Sequence, residues 1–143
     1  MNLRVSGHGN TDAQIMLIGD VCGDSDLQSG LALSGDSKRI LTKILQSVRM
    51  SYEELWKTAL VKDRGNLATP DTNRVLVTQE YKDVLLNEIN SIKPNCILGL
   101  GSTALWALTG IKPKTKKKET DDRPVYIPTG GITDWRGSIL LGM

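Results

Sequence analysis

Three apolar runs of strand length, each followed by a polar loop and then an amphipathic stretch, constrain this chain more than any other feature. The runs are "AQIMLIG", "LWKTALVK" and "NCILGLG". Continuous rather than alternating apolar character is what a parallel strand needs when both of its faces are covered. Between and after them, "SKRILTKILQSV" puts Ile40, Leu41, Ile44, Leu45 and Val48 on one helical stripe. "TQEYKDVLLNEINSIKP" spaces Tyr81, Val84, Leu85, Glu88 and Ile92 as a second helix, stopped by Pro94. "STALWALTG" gives a third, with Ser102 or Thr103 as cap and Gly110 as its end. Repeated strand, loop, helix order predicts an α/β three-layer α/β/α sandwich on a mostly parallel sheet of about four strands. "VYIPTGG" is the fourth strand.

Smaller signals fill the intervals. "DVCGDSDLQSGLALSGDS" is polar and Gly-rich and reads as a loop. Ser51 followed by Glu54 has the spacing of a capping box on a short helical turn. "DRGNLATPDTN" and "IKPKTKKKETDDRP" are loops, the second strongly charged. At 143 residues the chain, 1–143, is expected to form a single domain.

Composition excludes several classes. With 39% hydrophobic and 24% charged residues the chain can fold around a core. No apolar run approaches the roughly 20 residues of a membrane span, and no signal pattern opens the sequence, so a cytoplasmic location is expected. Cys22 and Cys96 lie far apart without a C-x-x-C pair, and both read as buried thiols. No metal site and no cofactor is expected. A net charge of +2 does not by itself point to nucleic acid, so the placement of charge must decide.

In open α/β sheets ligands bind at the carboxyl ends of strands. That rule brings three segments to one edge: Asp20 to Asp26, Lys62 to Asn66, and Gly99 to Thr103. Gly101, Ser102 and Thr103 offer bare N–H groups at a helix start, suited to a phosphate or to tight strand-to-helix packing. Asp20, Asp24 and Asp26 would repel one another unless bonded or protonated. They are either turn-forming acids in a solvated loop or carboxylates that orient water or bind a cation. The run "KPKTKKK" suits a phosphate backbone or a solvated loop. His8, the single histidine, precedes the first strand and reads as structural or exposed.

Taken in order, these segments resemble a known family. "IMLIGDVCGDSDLQSGLALSGDSKRIL" is similar to the first motif of the uracil-DNA glycosylase superfamily, above all its family-four branch. Gly19, Asp20, Gly23, Asp26, Gly30 and Gly35 fall at the matching places. "KTALVKDRGN" resembles the family's Thr-Asn-x-Val-Lys-Cys-Arg segment, "IKPNCILGLGSTALWALTG" its Gly-x-Gly-x-x-Ala turn and helix, and "WRGSIL" the approach to its last strand. The resemblance implies a pocket at the sheet edge for an everted base, with Gly19, Val21, Leu33 and Ala59 around it. It makes Asp20 and Asp26 the candidate catalytic, water-positioning acids. It implies DNA backbone contacts from Lys62, Arg64, Gly101, Ser102, Thr103, Lys114, Lys116, Lys117, Lys118 and Arg136.

The departures from the family pattern carry further expectations. Leu33 stands where the family stacks a Phe on the base, and Ala59 where an Asn reads its amide edge. No His-Pro motif occurs before Met143, so the domain is expected to be incomplete at its C-terminus. Asp63 replaces the cysteine expected after Lys62, and an iron-sulfur cluster is therefore not expected. Discrimination by shape alone is worth about 1–3 kcal/mol. A missing stabiliser of the leaving base costs roughly 10²–10³-fold in rate, by analogy with oxyanion-hole deletions. The resemblance so qualified implies a DNA-binding glycosylase-like domain without efficient uracil excision. An active glycosylase of altered base specificity is the alternative, and a nucleotide-binding or protein-interaction module a third reading. "GITDWRGSIL" also resembles the glycosylase-like segment at the front of some bacteriophage DNA polymerases, which implies a replication partner and the host cytoplasm.

Overall fold

The computed structural model describes residues 4–63, 79–109 and 140–141. Two strands, β1 (His8–Gly9) and β2 (Ile15–Val21), precede the helices α1 (Asp24–Ser29) and α2 (Asp36–Ser47). A 3-10 turn (Tyr52–Glu54) leads into β3 (Trp56–Val61). Then come α3 (Gln79–Ile92), β4 (Cys96–Leu100), α4 (Ser102–Thr109) and β5 (Leu140–Leu141). The sheet order is β1-β3-β2-β4-β5. The three central strands are parallel, and the two-residue edge strands are antiparallel. The expected α/β architecture holds, with five strands where about four were expected. "VYIPTGG", the expected fourth strand, lies outside the described residues.

Burial follows the continuous apolar runs. Along β2, Met16 and Ile18 face one side with Leu60, Val61, Tyr81, Leu85, Ile97 and Ala104. Leu17 faces the other with Leu33, Leu45, Tyr52 and Leu55. Layers on both faces of a parallel sheet are what such runs require. A third cluster of Val5, Cys22, Leu27, Ala32 and Ala59 closes the carboxyl end of β2 and β3.

Several local expectations change. The Gly-rich passage after β2 contains α1, whose first turn carries Asp24 and Asp26. The Ser51 box does not form: a 3-10 turn begins there, but the Ser51 hydroxyl donates to Glu53 at 2.9 Å and makes no capping bond. On α2 the apolar stripe turns largely outward. Leu45 is buried, whereas Ile40, Ile44 and Val48 are 55%, 56% and 59% exposed. Cys22 is buried as expected, but Cys96, the first residue of β4, is only half-buried. Among the described residues no helix is long and apolar enough to cross a membrane.

Candidate base-binding site

The parallel register aligns Gly19 with Leu100 and Val21 with Val61, so the loops after β2, β3 and β4 leave the sheet together. Here a cavity of about 370 Å³ is lined by Gly19, Asp20, Val21, Leu33, Ser37, Ile40, Leu41 and Leu100. Three of the four residues expected around the base, Gly19, Val21 and Leu33, are on its wall. Ala59 is not. It pairs with Gly19 but is buried in the neighbouring apolar cluster, 1% exposed. Ser37, Ile40, Leu41 and Leu100 were missed by sequence reasoning. The first three could have been found from their position in the opening turns of the helix that follows Leu33.

Asp20 is the cavity's one carboxylate among the described residues. Its Oδ1 accepts the Ala104 N–H at 2.7 Å, at the start of α4. Burial pushes its pKa above the ordinary carboxylate value, while the Ala104 and Thr103 N–H groups pull it partly back. The first anion at this helix start is therefore the protein's own carboxylate. Gly101 makes the arrangement possible: its φ is +122°, and a Cβ there would overlap the Asp20 carboxylate. Ser102 opens α4 and Thr103 follows it.

Asp26 has a different place. It is 8% exposed and sits in the first turn of α1. It accepts the Gly23 N–H at 3.2 Å, and the Ser34 N–H at 2.9 Å and hydroxyl at 3.2 Å. These bonds clasp the two ends of the loop and turn the carboxylate to its own backbone. Asp26 does not line the cavity, so its expected role in holding water gives way to a role in holding Leu33 and Ser34 in place.

Lys62, expected at phosphates, is instead buried. It is 5% exposed, donates to the Ala59 carbonyl at 2.6 Å and pairs with Glu88 at 3.1 Å. Glu88 also accepts from Trp56 Nε1 and Thr58 Oγ1, both at 2.8 Å, which explains a carboxylate on the inner stripe of α3. Its ammonium is committed to the Glu88 carboxylate and the Ala59 carbonyl rather than turned to the loop edge. Arg64, Lys114, Lys116, Lys117, Lys118 and Arg136 lie outside the described residues.

An iron-sulfur cluster needs several thiolates converging on it. The chain has two cysteines. Cys22 follows β2 and Cys96 begins the parallel β4, so they stand at opposite ends of the sheet. Asp63, next to Lys62, accepts the Tyr81 hydroxyl at 2.8 Å. These donors do not fit a cluster. Among the described residues no group of three or more His, Cys, Asp or Glu side chains could hold a metal ion.

A mostly parallel sheet with an acid-bearing cavity at the carboxyl end of its central strands defines an α/β protein whose ligand site is at the strand ends. The family model of the uracil DNA glycosylase superfamily matches residues 6–137, and the chain belongs to that superfamily. It is 33% identical over 99 residues to a type-4 uracil-DNA glycosylase of Saccharolobus solfataricus, covering 68% of this chain and 44% of the relative. The enzyme of the same name from Thermotoga maritima is 31% identical over 104 residues, 71% of this chain and 52% of that protein. That of Archaeoglobus fulgidus is 30% identical over 103 residues, 70% and 49%. The chain thus spans about half the length of these curated relatives.

Proposed function

We propose that this glycosylase-like chain binds DNA and admits an everted base to the cavity beside Asp20, without efficient uracil-selective excision. The aliphatic wall carries this reading. Val21, Leu33, Ile40, Leu41 and Leu100 supply apolar contact, and only Asp20 and Ser37 bring polar side chains. Extruding a base costs a few kcal/mol, returned by stacking and by hydrogen bonds to its edge. Leu33 gives no flat platform, and Ala59, turned into an apolar cluster, offers the base no edge contact. Such a cavity separates bases by shape, at about 1–3 kcal/mol.

The second reading, hydrolysis of an N-glycosidic bond with altered base preference, draws on Asp20. A partly buried carboxylate with a raised pKa at a cavity wall can accept a proton from water. The relatives' name, uracil-DNA glycosylase, also favours it.

One experiment separates the two. Oligonucleotides carrying uracil, hypoxanthine or xanthine are incubated with the protein, and plain DNA is titrated at two salt concentrations. The first reading expects DNA affinity that falls as salt rises, with no enzyme-dependent base release. Release of any base that disappears in Asp20→Asn overturns it in favour of the second. No DNA affinity at low salt defeats both.

A further inference from the structure

A second cavity, of about 400 Å³, opens on the other side of the Leu31–Ser34 loop, lined by His8, Gly9, Asn10, Leu31, Ser34, Lys38, Tyr52, Glu53 and Lys57. Its floor is unusual. Lys57 is the second residue of β3, within a largely apolar run, and is 1% exposed. Its Nζ donates to the Tyr52 carbonyl at 2.8 Å and lies 4.1 Å from the centroid of the Tyr52 ring. Among the described residues no carboxylate lies within ion-pairing distance of it. The same strand provides the comparison: Lys62, equally enclosed, has Glu88 at 3.1 Å. Buried charges are paired as a rule, and Lys57 departs from it.

The surroundings converge on that ammonium. Lys38, from the first turn of α2, brings a second ammonium to 5.4 Å from the same ring centroid. Gly9 has φ +131°, and a Cβ there would overlap the Leu55 carbonyl and come within 3.0 Å of Lys57 Nζ, so the bare backbone keeps the approach open. The Tyr52 hydroxyl is committed to the Leu33 carbonyl at 2.6 Å, which fixes the ring. His8, on the cavity wall, is anchored through Nε2 at 2.6 Å from the Ala32 carbonyl. Glu53 is the opposing charge at the rim, and Ser51 holds it by a hydrogen bond of 2.9 Å. Asp26 acts on the site only from behind the loop, its oxygens occupied by Gly23 and Ser34.

We propose that this cavity is a phosphate site in which Lys57 and Lys38 together bind one oxyanion group, with Ser34 and Asn10 at its margin. Two ammoniums on the wall of one cavity match a doubly charged phosphate, and lysine binds phosphate as a point charge. The Tyr52 carbonyl and the face of the Tyr52 ring hold the Lys57 ammonium in place while the ligand is away. Both cavities share α2: Lys38 lines the phosphate site, and Ser37, Ile40 and Leu41 line the base cavity. The phosphate can belong to a DNA strand crossing this helix or to a free nucleotide.

Calorimetric titration of the intact protein with inorganic phosphate, a 5′-deoxynucleoside monophosphate, its nucleoside and a short single-stranded oligonucleotide tests the site. Saturable binding of phosphate and nucleotide, but not of nucleoside, is expected. Lys38→Ala should weaken it by about tenfold or more, the worth of one charge-assisted bond. Lys43→Ala, an exposed lysine of the same helix outside the cavity, should leave it unchanged. Lys57→Met should abolish it. If that variant fails to fold, the comparison of Lys38 with Lys43 carries the test alone. An oligonucleotide that outcompetes phosphate makes the strand the source, and one that binds no tighter makes it the free nucleotide. Absence of saturable phosphate binding, or equal losses in Lys38→Ala and Lys43→Ala, overturns the proposal. The phosphate arms involve no base release, so their failure is separate from that of the base-cavity reading.

Discussion

Asp20 shows how one residue's position can be legible while its partner is not. An acid at the end of an apolar strand is visible in the sequence, but the N–H it accepts belongs to Ala104, 84 positions away. Burial raises its pKa, so the folded state binds the Asp20 proton more tightly than the unfolded state does. Stability therefore falls as pH rises out of the ordinary carboxylate range through the raised value. Asp20→Asn, which keeps an oxygen for Ala104, should flatten that decline, as thermal unfolding measured across pH would show. An equal slope in both proteins would contradict the assignment. Glu88 was placed on the right helical stripe, yet nothing local announces its three donors. Glu88→Ala strands Lys62 in the interior and should cost about 3–5 kcal/mol in denaturant unfolding. A loss below 1 kcal/mol would mean that the pair is solvated.

Among the elements, α3 was the most readable, because Tyr81 and Leu85 pack inward as the periodicity requires and Pro94 lies just beyond its end. The short helix α1 was hidden, since five of its six residues carry polar side chains and its N-cap is a glycine. On α2 the apolar stripe was legible but not its orientation. The helix meets the sheet through Leu45 and the half-buried Leu41, and Ile44 points to solvent. Ile44→Lys should thus change stability by no more than about 0.5 kcal/mol, whereas Leu45→Ala should cost about 2–5 kcal/mol. The junction of β4 and α4 depends on Gly101. Its positive φ costs an alanine roughly 1–3 kcal/mol, and the new methyl group also meets the Asp20 carboxylate. Adding Asp20→Ala to Gly101→Ala should recover part of that loss, a coupling that a double-mutant cycle reads directly.

At the scale of the molecule, the parallel, doubly covered sheet was recoverable because continuous apolar runs leave parallel pairing with covered faces as the economical solution, whereas the strand order was not in the pattern. The cavities were less so, because each is made where loops from separate strands meet, and spacing along the chain says nothing about which side chain turns inward. Lys62 and Ala59 illustrate this: one follows β3 and the other lies within it, and each is directed into the interior. Both faces of the β3-β2-β4 sheet are covered by helices drawn from different parts of the chain. If the single-domain reading holds, the two layers should unfold as one unit. Leu17, on β2, packs into the layer under α2, and Leu85, on α3, packs into the layer on the opposite face of the sheet. Leu17→Ala and Leu85→Ala should each cost about 2–5 kcal/mol. Having no shared partners, they should add to within about 0.5 kcal/mol in the double variant. Far-ultraviolet dichroism and tryptophan fluorescence should report one coincident transition in all four proteins. Two separated transitions, with each substitution moving only one of them, would show that the layers are independent.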